Sequence, residues 1–416
     1  MTVTDAARES VSSALEVTPV ESHLHPKGSF EVADHPAPTG REEIWRFTPL
    51  RRLRGLHDDA PFLPSATSCE WNTPEGVRIE GVDGDEARAL RGVSGWVPNT
   101  RWGARVLAEV ESTLLVDVPA EAEVAEPIAV RLHGDDVSVT EAGHIVLRFG
   151  RHSRAVVVLE HLGSSTMAQV VEVQVGDGAD VTVVSLQDWA DDAVHLTHHQ
   201  ALVGRDARYR HAAITFGGDL VRMDANVSYA GPGGSAELLG LYFADAGQHI
   251  EHRLFADHDA PHTKSNVVYK GALQGQGAHT VWVGNVLIRK VAEGIETYEE
   301  NRNLVLTDGC QADSVPNLEI ETGEIEGAGH ASTTARFDDE QLFYLRSRGV
   351  SERQARRLVL HGFFNDLIRK VGVPSIEERL TTTVEAELSK NVLRDDVADV
   401  AVDEVAERVD TAEVTA

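Results

Sequence analysis

Cysteine is scarce in this sequence, since Cys69 and Cys310 are the only two thiols among 416 residues. Two thiols cannot form a disulfide framework, nor a zinc or iron–sulfur site made of cysteine alone. This usage is typical of a reducing compartment, so we expect a cytoplasmic protein. The chain also has no basic segment leading into an apolar run at its start, and no apolar stretch of about 18 residues, so we expect neither export nor membrane insertion.

Basic residues are also few, because 38 Lys and Arg stand against 67 Asp and Glu and leave a formal net charge of -29. An acidic surface repels nucleic-acid phosphates and anionic membranes, so neither is expected as a partner. Hydrophobic residues make up 42% of the chain, which is enough to bury a substantial core. The composition therefore predicts a large globular protein.

The motifs of several enzyme classes are missing. The stretch "GPGGSAELLG" at residues 231–240 has glycines but no Lys to meet phosphate oxygens, so we interpret it as a turn. Neither a G-x-S-x-G elbow nor an H-E-x-x-H helix occurs. Nucleotide hydrolysis and the common hydrolase reactions are therefore disfavoured.

The middle of the chain has the texture of β-strands. Between Ser112 and Ile325, runs such as "HIVLRF", "VVEVQV" and "TVWVGNVLI" are separated by turn signals such as "VGDGAD", with no helical period between them. A fold with a helix after every strand is disfavoured, which leaves a sandwich, a barrel or a β-helix. The length of the region favours coils stacked on one another.

The segments on either side of this region differ from it. Before about residue 95, prolines, aromatics and a basic cluster indicate an irregular arm with some helix, whereas capping boxes at Ser351 and Ser375 indicate helices after Arg336. The final segment carries eight acidic and two basic residues and is predicted to be disordered. We therefore divide the chain into an N-terminal irregular and helical segment, a β core, a C-terminal helical domain and an acidic tail, at residues 1–95, 96–336, 337–390 and 391–416.

Histidines cluster in two runs, "HLTHH" from His195 and "HIEHRLFADHDAPH" from His249. On a strand, His195 and His199 share a face but lie about 13 Å apart at about 3.3 Å per residue, too far to share one ion without a bend. We therefore expect half-exposed polar residues on strands rather than a metal site. Nearby carboxylates allow a different class of function, a β-helix enzyme that acts on glycans through Asp245, Asp257 and Asp259.

The stretch "TDGCQADSVPNLEIETGEIEGAGH", residues 307–330, contains Cys310 and His330. Thiolate and imidazole are both good ligands for iron. Two ligands do not hold a cluster, so any others would come from a partner chain, an exogenous thiol or solvent. Chemistry alone favours the alternative, a small buried Cys and a hydrogen-bonded His.

Three long motifs follow one another near the C-terminus: "AHTVWVGNVLIRKVAEGIETYEENRNLVLTDG", "ADSVPNLEIETGEIEGAGHAS" and "FDDEQLFYLRSRGVSERQARRLVLHGFF". In content, order and spacing they resemble the C-terminal half of the SufB/SufD family of iron–sulfur cluster assembly proteins. The N-terminal "REEIWRFTPLRRLRGL" resembles the SufD branch in particular. The resemblance implies a mainly β fold, a right-handed parallel β-helix between an N-terminal, largely helical segment and a C-terminal helical domain.

The resemblance also implies a role without catalysis, as a SufD-like scaffold subunit. Such chains pair with a homologous SufB-like chain and bind a SufC-like ATPase through their C-terminal helices. A transient iron–sulfur cluster would then be assembled at the partner interface, with no cofactor held tightly by this chain alone. Because the edge strands of a coil stack pair with a like edge or need a cap, we expect dimerisation near residues 300–336, and a homodimer when the chain is alone.

His330 matches the functional His of SufD-like chains. SufD-like chains often have a Cys two residues before it, and SufB-like chains a Glu directly after it; here these positions are Ala328 and Ala331. The sulfur-accepting Cys of SufB-like chains is also missing from the start of "NRNLVLTDGC", so a SufB-like subunit is the weaker alternative. Cys310 matches at best a secondary SufB-like Cys, and is either a spare thiol at the site or an incidental small residue.

The helical domain contains a cluster of basic residues that is unusual in so acidic a chain. We predict that they form one stripe that docks into an acidic groove of the ATPase, with a solvated helix face as the alternative. The stripe consists of Arg353, Arg356, Arg357, Arg369 and Lys370. Core packing is predicted for Leu342, Phe343, Leu345, Leu358, Phe363 and Leu367.

Overall fold

The computed structural model describes residues 24, 27–336, 339–374, 376–384 and 386. The side chains of Asp339, Gln341 and Arg353 lie outside this description. The acidic tail predicted at residues 391–416 also lies outside the described residues.

The N-terminal part of the described chain is a mixture of short elements. Its 3-10 helices are Val32–Asp34, Glu43–Trp45 and Leu50–Leu53. Two strands follow, β1 (Ser68–Trp71) and β2 (Arg78–Asp83). Two helices lead into the β region, α1 (Gly84–Ala89) and α2 (Arg101–Glu109), and the Thr100 hydroxyl caps α2 by accepting a hydrogen bond from the Gly103 N–H.

Strands then follow one another without an intervening helix, as the sequence predicted. They are β3 (Ser112–Val118), β4 (Ile128–Phe149), β5 (Arg154–Val175), β6 (Asp180–Trp189), β7 (Val194–Val203), β8 (Arg208–Thr215), β9 (Leu220–Tyr229), β10 (Ser235–Ala244), β11 (His249–His258), β12 (Lys264–Leu273), β13 (His279–Ile288), β14 (Glu296–Val305), β15 (Gln311–Ile320) and β16 (Gly327–Arg336). Helices α3 (Asp339–Ser347) and α4 (Glu352–Val371) come next, and residues 376–384 are also helical. No helix in the described part is long and apolar enough to cross a membrane.

The strands form a parallel β-helix with two sheets. The long strand β5 pairs through its first half with β6 and through its second half with β7. From there the even-numbered strands continue one sheet and the odd-numbered strands the other, so each coil adds one strand to each sheet. Among the strands that the structure describes, only the pairs β1–β4 and β2–β3 are antiparallel. The predicted mainly β fold with a parallel β-helix core is confirmed.

Interlocking aromatic side chains fill part of the space between the two sheets. Gly240 pairs with Tyr269, and Tyr242 pairs with Gly271, on the neighbouring strands β10 and β12. A Cβ atom on Gly240 would lie 2.0 Å from Cδ1 of Tyr269, and one on Gly271 would lie 1.8 Å from Cε2 of Tyr242. Each ring therefore occupies the space that only a glycine on the neighbouring strand leaves open.

The N-terminal segment covers the outer face of the odd-numbered sheet. Trp45, Leu53 and Trp102 pack there against Val170 and Leu196. The sequence predicted half-exposed histidines on β7, and this was wrong: His195, His198 and His199 are all buried. The reason is that the interior covers one face of the strand and the N-terminal segment covers the other, where the ring of Trp96 stacks on His198 with centroids 4.0 Å apart.

The C-terminal helices cover the outer face of the even-numbered sheet. The buried stripe of α4 consists of Leu360, Phe364, Leu367, Ile368 and Val371. The prediction of core packing holds for Leu342 and Leu367, while Phe363 is partly buried. It was wrong for Leu358 and Phe343, whose side chains are 55% and 73% exposed. Leu358 lies on the side of α4 away from its buried stripe, and Phe343 follows Leu342, a buried residue of α3, on the solvent side of that helix.

Candidate functional site

The terminal coil, formed by β15 and β16, is the open end of the β-helix in the described residues. β15 pairs with β13 and β16 pairs with β14, and neither has a strand on its other side there. Most positions along the strands of earlier coils are buried, whereas every position along β15 and β16 is half-buried or exposed. The last coil therefore presents two strand edges and part of the polar interior to solvent.

His330 lies on β16 and is exposed. It is in register with Glu299 of β14, and paired residues of parallel strands point to the same side of a sheet. Ala328, two residues earlier on the same strand, packs against the interior core. Because side chains alternate along a strand, His330 also lies on the interior side, at the mouth of the β-helix.

Cys310 does not lie beside His330. It precedes β15, where its Sγ contacts the Gly275 carbonyl oxygen at 3.3 Å. The guanidinium of Arg336, the last residue of β16, donates to Asp308 in the same turn at 2.6 Å. His330 is six residues earlier on β16, which is about 20 Å at about 3.3 Å per residue. One copy of the chain therefore does not bring these two predicted ligands to a common ion.

Glu299 is a functional candidate that the sequence did not single out. Its side chain is 1% exposed, and neither carboxylate oxygen has a hydrogen-bond partner among the described residues. Oε1 reaches the opposite sheet, where a Cβ atom on Gly284 would lie 2.9 Å from it. Burial raises the pKa of Glu299 to about 8. A carboxyl group in this position is either neutral or needs a cation beside it.

Further buried polar groups without partners lie on the neighbouring strands β12 and β13. Among the described residues, the Tyr269 hydroxyl, the Thr280 hydroxyl and the Trp282 indole N–H are buried and make no hydrogen bond. The rings of Tyr269 and Trp282 have their centroids 6.3 Å apart. The closest sequence signal is the alternation of polar residues Thr297, Glu299, Asn301 and Asn303, all of them buried, along β14.

A series of buried imidazoles extends from the early coils toward this region. The His211 and His199 rings are joined by a 3.1 Å hydrogen bond, and His252 is hydrogen-bonded to the Thr215 hydroxyl at 3.0 Å. Burial lowers the pKa of His211 to about 4 and that of His252 to about 3, so both are neutral at physiological pH. The interior of the β-helix thus contains a polar, uncharged column within an apolar core.

The predicted basic residues of α4 form one stripe only in part. The Arg356 guanidinium donates to Glu352 at 2.9 Å, and Arg357 is half-buried. Arg369 and Lys370 are exposed, but Arg369 lies about 120° around the helix from Arg357 at 100° per residue. Lys370, 14 residues after Arg356, lies only about 40° from it around the helix, so Arg369 departs from the stripe and Lys370 does not. Docking of these residues to an ATPase stays a prediction. Arg353 lies in α4, but its side chain is outside the described residues.

The carboxylates considered for a glycan enzyme have structural partners. Asp257 accepts two hydrogen bonds from Arg289, both at 2.7 Å. Asp259 accepts one from the Tyr229 backbone N–H at 2.9 Å, and Asp245 accepts one from the Ala246 N–H. In the described part of the chain, no group of three or more His, Cys, Asp or Glu is arranged to hold a metal ion.

Comparison with known proteins identifies the family. The SUF system FeS cluster assembly SufBD core domain matches residues 131–363. A protein of Mycobacterium tuberculosis named an iron-sulfur cluster assembly SufBD family protein is 52% identical over 379 residues, which cover 89% of this chain and 95% of that protein. A protein of the same description from Mycobacterium leprae is 52% identical over 367 residues, covering 87% and 93%. One from Synechocystis is 24% identical over 402 residues, covering 83% and 86%.

The chain therefore belongs to the SufBD family of iron–sulfur cluster assembly proteins. The match to the core domain includes every strand from β5 to β16 and most of α4. It also includes Glu299, Cys310 and His330, so the terminal coil described above lies within the matched core domain.

Proposed function

We propose that this protein is a SufD-like scaffold subunit that pairs with a homologous SufB-like chain and docks a SufC-like ATPase. The observation that carries the proposal is the terminal coil, which ends the β-helix with an uncovered imidazole, His330, at its mouth. An interior-facing His at an open end is suited to a site that a second chain completes. In this proposal the iron–sulfur cluster is the cargo, which is built at the interface and passed on.

The strand β16 is the edge best suited to pairing. β15 contains Pro316, which has no N–H to donate to a neighbouring strand, whereas β16 contains no proline. Tyr298 and Ile320, in the last coils, have side chains that are exposed although they are large and apolar. This edge would be covered by the SufB-like chain in the complex, or by a second copy when the chain is alone.

The helical domain supports the docking of an ATPase. Phe343, Tyr344 and Leu358 are large apolar side chains exposed on α3 and α4. Single exposed apolar residues are common, but three on one pair of packed helices make a candidate interface. Arg369 and Lys370 add positive charge near the C-terminal end of α4, where an acidic partner surface would be attracted.

Two features favour the SufD-like role over the SufB-like alternative. The sulfur-accepting position near the start of "NRNLVLTDGC" has no Cys, and Ala331 stands where SufB-like chains have a Glu. In this role the chain itself catalyses no reaction, and the partner ATPase hydrolyses the nucleotide. The low cysteine content supports a reducing, cytoplasmic location.

The experiment is anaerobic co-expression of this chain with the SufB-like and SufC-like proteins of the same organism, followed by assay of iron and labile sulfide in the purified complex. We expect a stoichiometric complex, and we expect His330→Ala to lower cluster content while the complex stays intact. Cys310→Ser is the matched control and should leave cluster content unchanged. A His330→Ala complex with full cluster content would contradict the role given to this residue.

A further inference from the structure

Glu299 and His330 are neighbours on the interior face of the last two coils. They are paired in register on β14 and β16, and adjacent strands lie about 4.8 Å apart. A Glu carboxylate and a His imidazole that start from such positions can reach one ion placed between them at the mouth of the β-helix. The ion would approach from the open end, since His330 is exposed.

The carboxylate of Glu299 lacks the partners that a buried acid needs. Both oxygens are buried and make no hydrogen bond within the described chain. An unpaired buried polar group costs about 1–3 kcal/mol, and more when it is charged. Buried acids elsewhere in the protein are satisfied, as Glu172 shows by accepting hydrogen bonds from the Ser94 hydroxyl at 2.6 Å and the Gly92 N–H at 2.7 Å. The environment of Glu299 is therefore the exception and points to a missing ligand.

We propose that Glu299 and His330 form a two-ligand site for a divalent iron ion, so that this chain brings iron rather than sulfur to the partner interface. The delivery of this ion to a partner chain rests on the proposed function, whereas the binding of the ion to Glu299 and His330 does not. One carboxylate and one imidazole suit Fe²⁺ better than Mg²⁺, which prefers oxygen ligands alone. The ring of Trp282 lies beside the same Gly284 position as Glu299 Oε1, and its indole N–H and the Tyr269 hydroxyl on the neighbouring strand β12 are unpaired donors. We expect them to orient the carboxylate when it holds an ion.

The test uses the isolated full-length chain under anaerobic conditions, with Co²⁺ as a spectroscopic probe and Fe²⁺ as its competitor. We expect one Co²⁺ per chain, displaced by Fe²⁺ and not by Mg²⁺. Glu299→Gln and His330→Ala should each weaken Co²⁺ binding by about tenfold or more. Because the two residues act on one ion, the double variant should lose little more than either single variant.

Two further variants control this test. Glu300→Gln changes the next residue on the same strand, whose side chain points the opposite way and pairs with Arg302, and it should bind Co²⁺ like the unchanged chain. Glu299→Met removes the carboxylate and leaves an apolar side chain of similar length, so it separates loss of the ligand from loss of the fold, which circular dichroism monitors.

The outcomes separate this inference from the proposed function. Co²⁺ binding by Glu299→Gln and Glu299→Met at the affinity of the unchanged chain, or no Co²⁺ binding by the unchanged chain, would overturn the site. Either result would leave the complex with the two partners untouched. Loss of binding in His330→Ala alone would assign the ion to His330 and solvent, and would equally overturn a role for Glu299.

Discussion

At the scale of single residues, glycines decide how the interior of the β-helix is filled. Gly240 and Gly271 each face a tyrosine of the neighbouring strand, and the two pairs interlock in opposite directions. Neither glycine has a positive φ, so what makes them necessary is space rather than backbone conformation. A close-packed interior responds to the addition of a single methyl group.

Gly240→Ala should therefore destabilise the protein by about 1–3 kcal/mol, because the new Cβ overlaps the ring of Tyr269. Gly362→Ala is the control with the opposite sign: it lies within α4 with no atom near its Cβ position, and it should stabilise the helix by up to about 1 kcal/mol. Urea unfolding of the two variants measures both effects. Equal stability of Gly240→Ala and the unchanged chain would show that the ring can move aside.

At the scale of elements, a buried ionic network fixes the N-terminal segment to the β-helix. The Thr48 hydroxyl donates to Glu251 at 2.7 Å and accepts from Arg222 at 2.9 Å, and Arg222 lies over the Trp45 ring at 4.4 Å. Burial alone would raise the pKa of Glu251, but Arg222, His249 and Arg253 outweigh it and hold the pKa well below its usual range. Each buried charge in this network is stabilised by an opposite charge beside it.

Glu251→Ala should destabilise the protein by roughly 3–5 kcal/mol, because it removes the fully buried carboxylate that Arg222 and Arg253 share and leaves them to pair with the less buried Asp224. The N-terminal segment should also become sensitive to proteolysis, since Thr48 loses its acceptor. The control is Glu296→Ala, which removes an exposed ion pair with Lys264 and should leave both properties unchanged. Limited proteolysis and thermal unfolding measure the two properties. If Glu251→Ala were as stable and as resistant to protease as Glu296→Ala, the buried network would not hold the N-terminal segment in place.

The sequence predicted strands and helix starts correctly where a single local pattern, such as polar–apolar alternation or a capping box, determines the structure. Alternating residues such as those of "TVWVGNVLI" became strand β13, and the capping box at Ser351 starts α4, where the Ser351 hydroxyl accepts from the Gln354 N–H. The coil repeat was hidden because, from β7 onward, successive odd-numbered strands start at uneven intervals of 26 to 32 residues. Glu299 was missed because one carboxylate among 67 acidic residues carries no signal until the fold buries it.

At the scale of the whole molecule, buried imidazoles make stability depend on pH. Burial holds the pKa of His161, His198 and His211 at about 4, below the usual 6.5. His258 behaves in the same way, with a pKa of about 4. Between pH 6.5 and 4 the unfolded chain binds protons at these positions and the folded chain does not. The contribution of these imidazoles to stability is therefore complete above pH 6.5 and is lost as the pH falls.

We predict that the free energy of unfolding falls steeply between pH 6.5 and 4.5, by about 1.4 kcal/mol per pH unit for each buried His. His252→Gln should reduce this slope by about 1.4 kcal/mol per pH unit, the contribution of one proton, because the pKa of His252 is about 3 in the folded chain. His133→Gln is the control, since that side chain is 51% exposed. Urea unfolding at several pH values measures the slopes, and a flat profile above pH 4.5 would contradict buried neutral imidazoles.

The central claim is that the open end of the β-helix is an interface that a partner chain covers. Hydrogen–deuterium exchange of the chain, alone and mixed with the SufB-like chain proposed as its partner, tests this most directly. We predict that amides of β16, residues 327–336, become protected in the complex, while those of β6, residues 180–189, exchange alike in both states. A stable complex in which β16 exchanges as fast as in the free chain would contradict the account, as would failure of the two chains to associate.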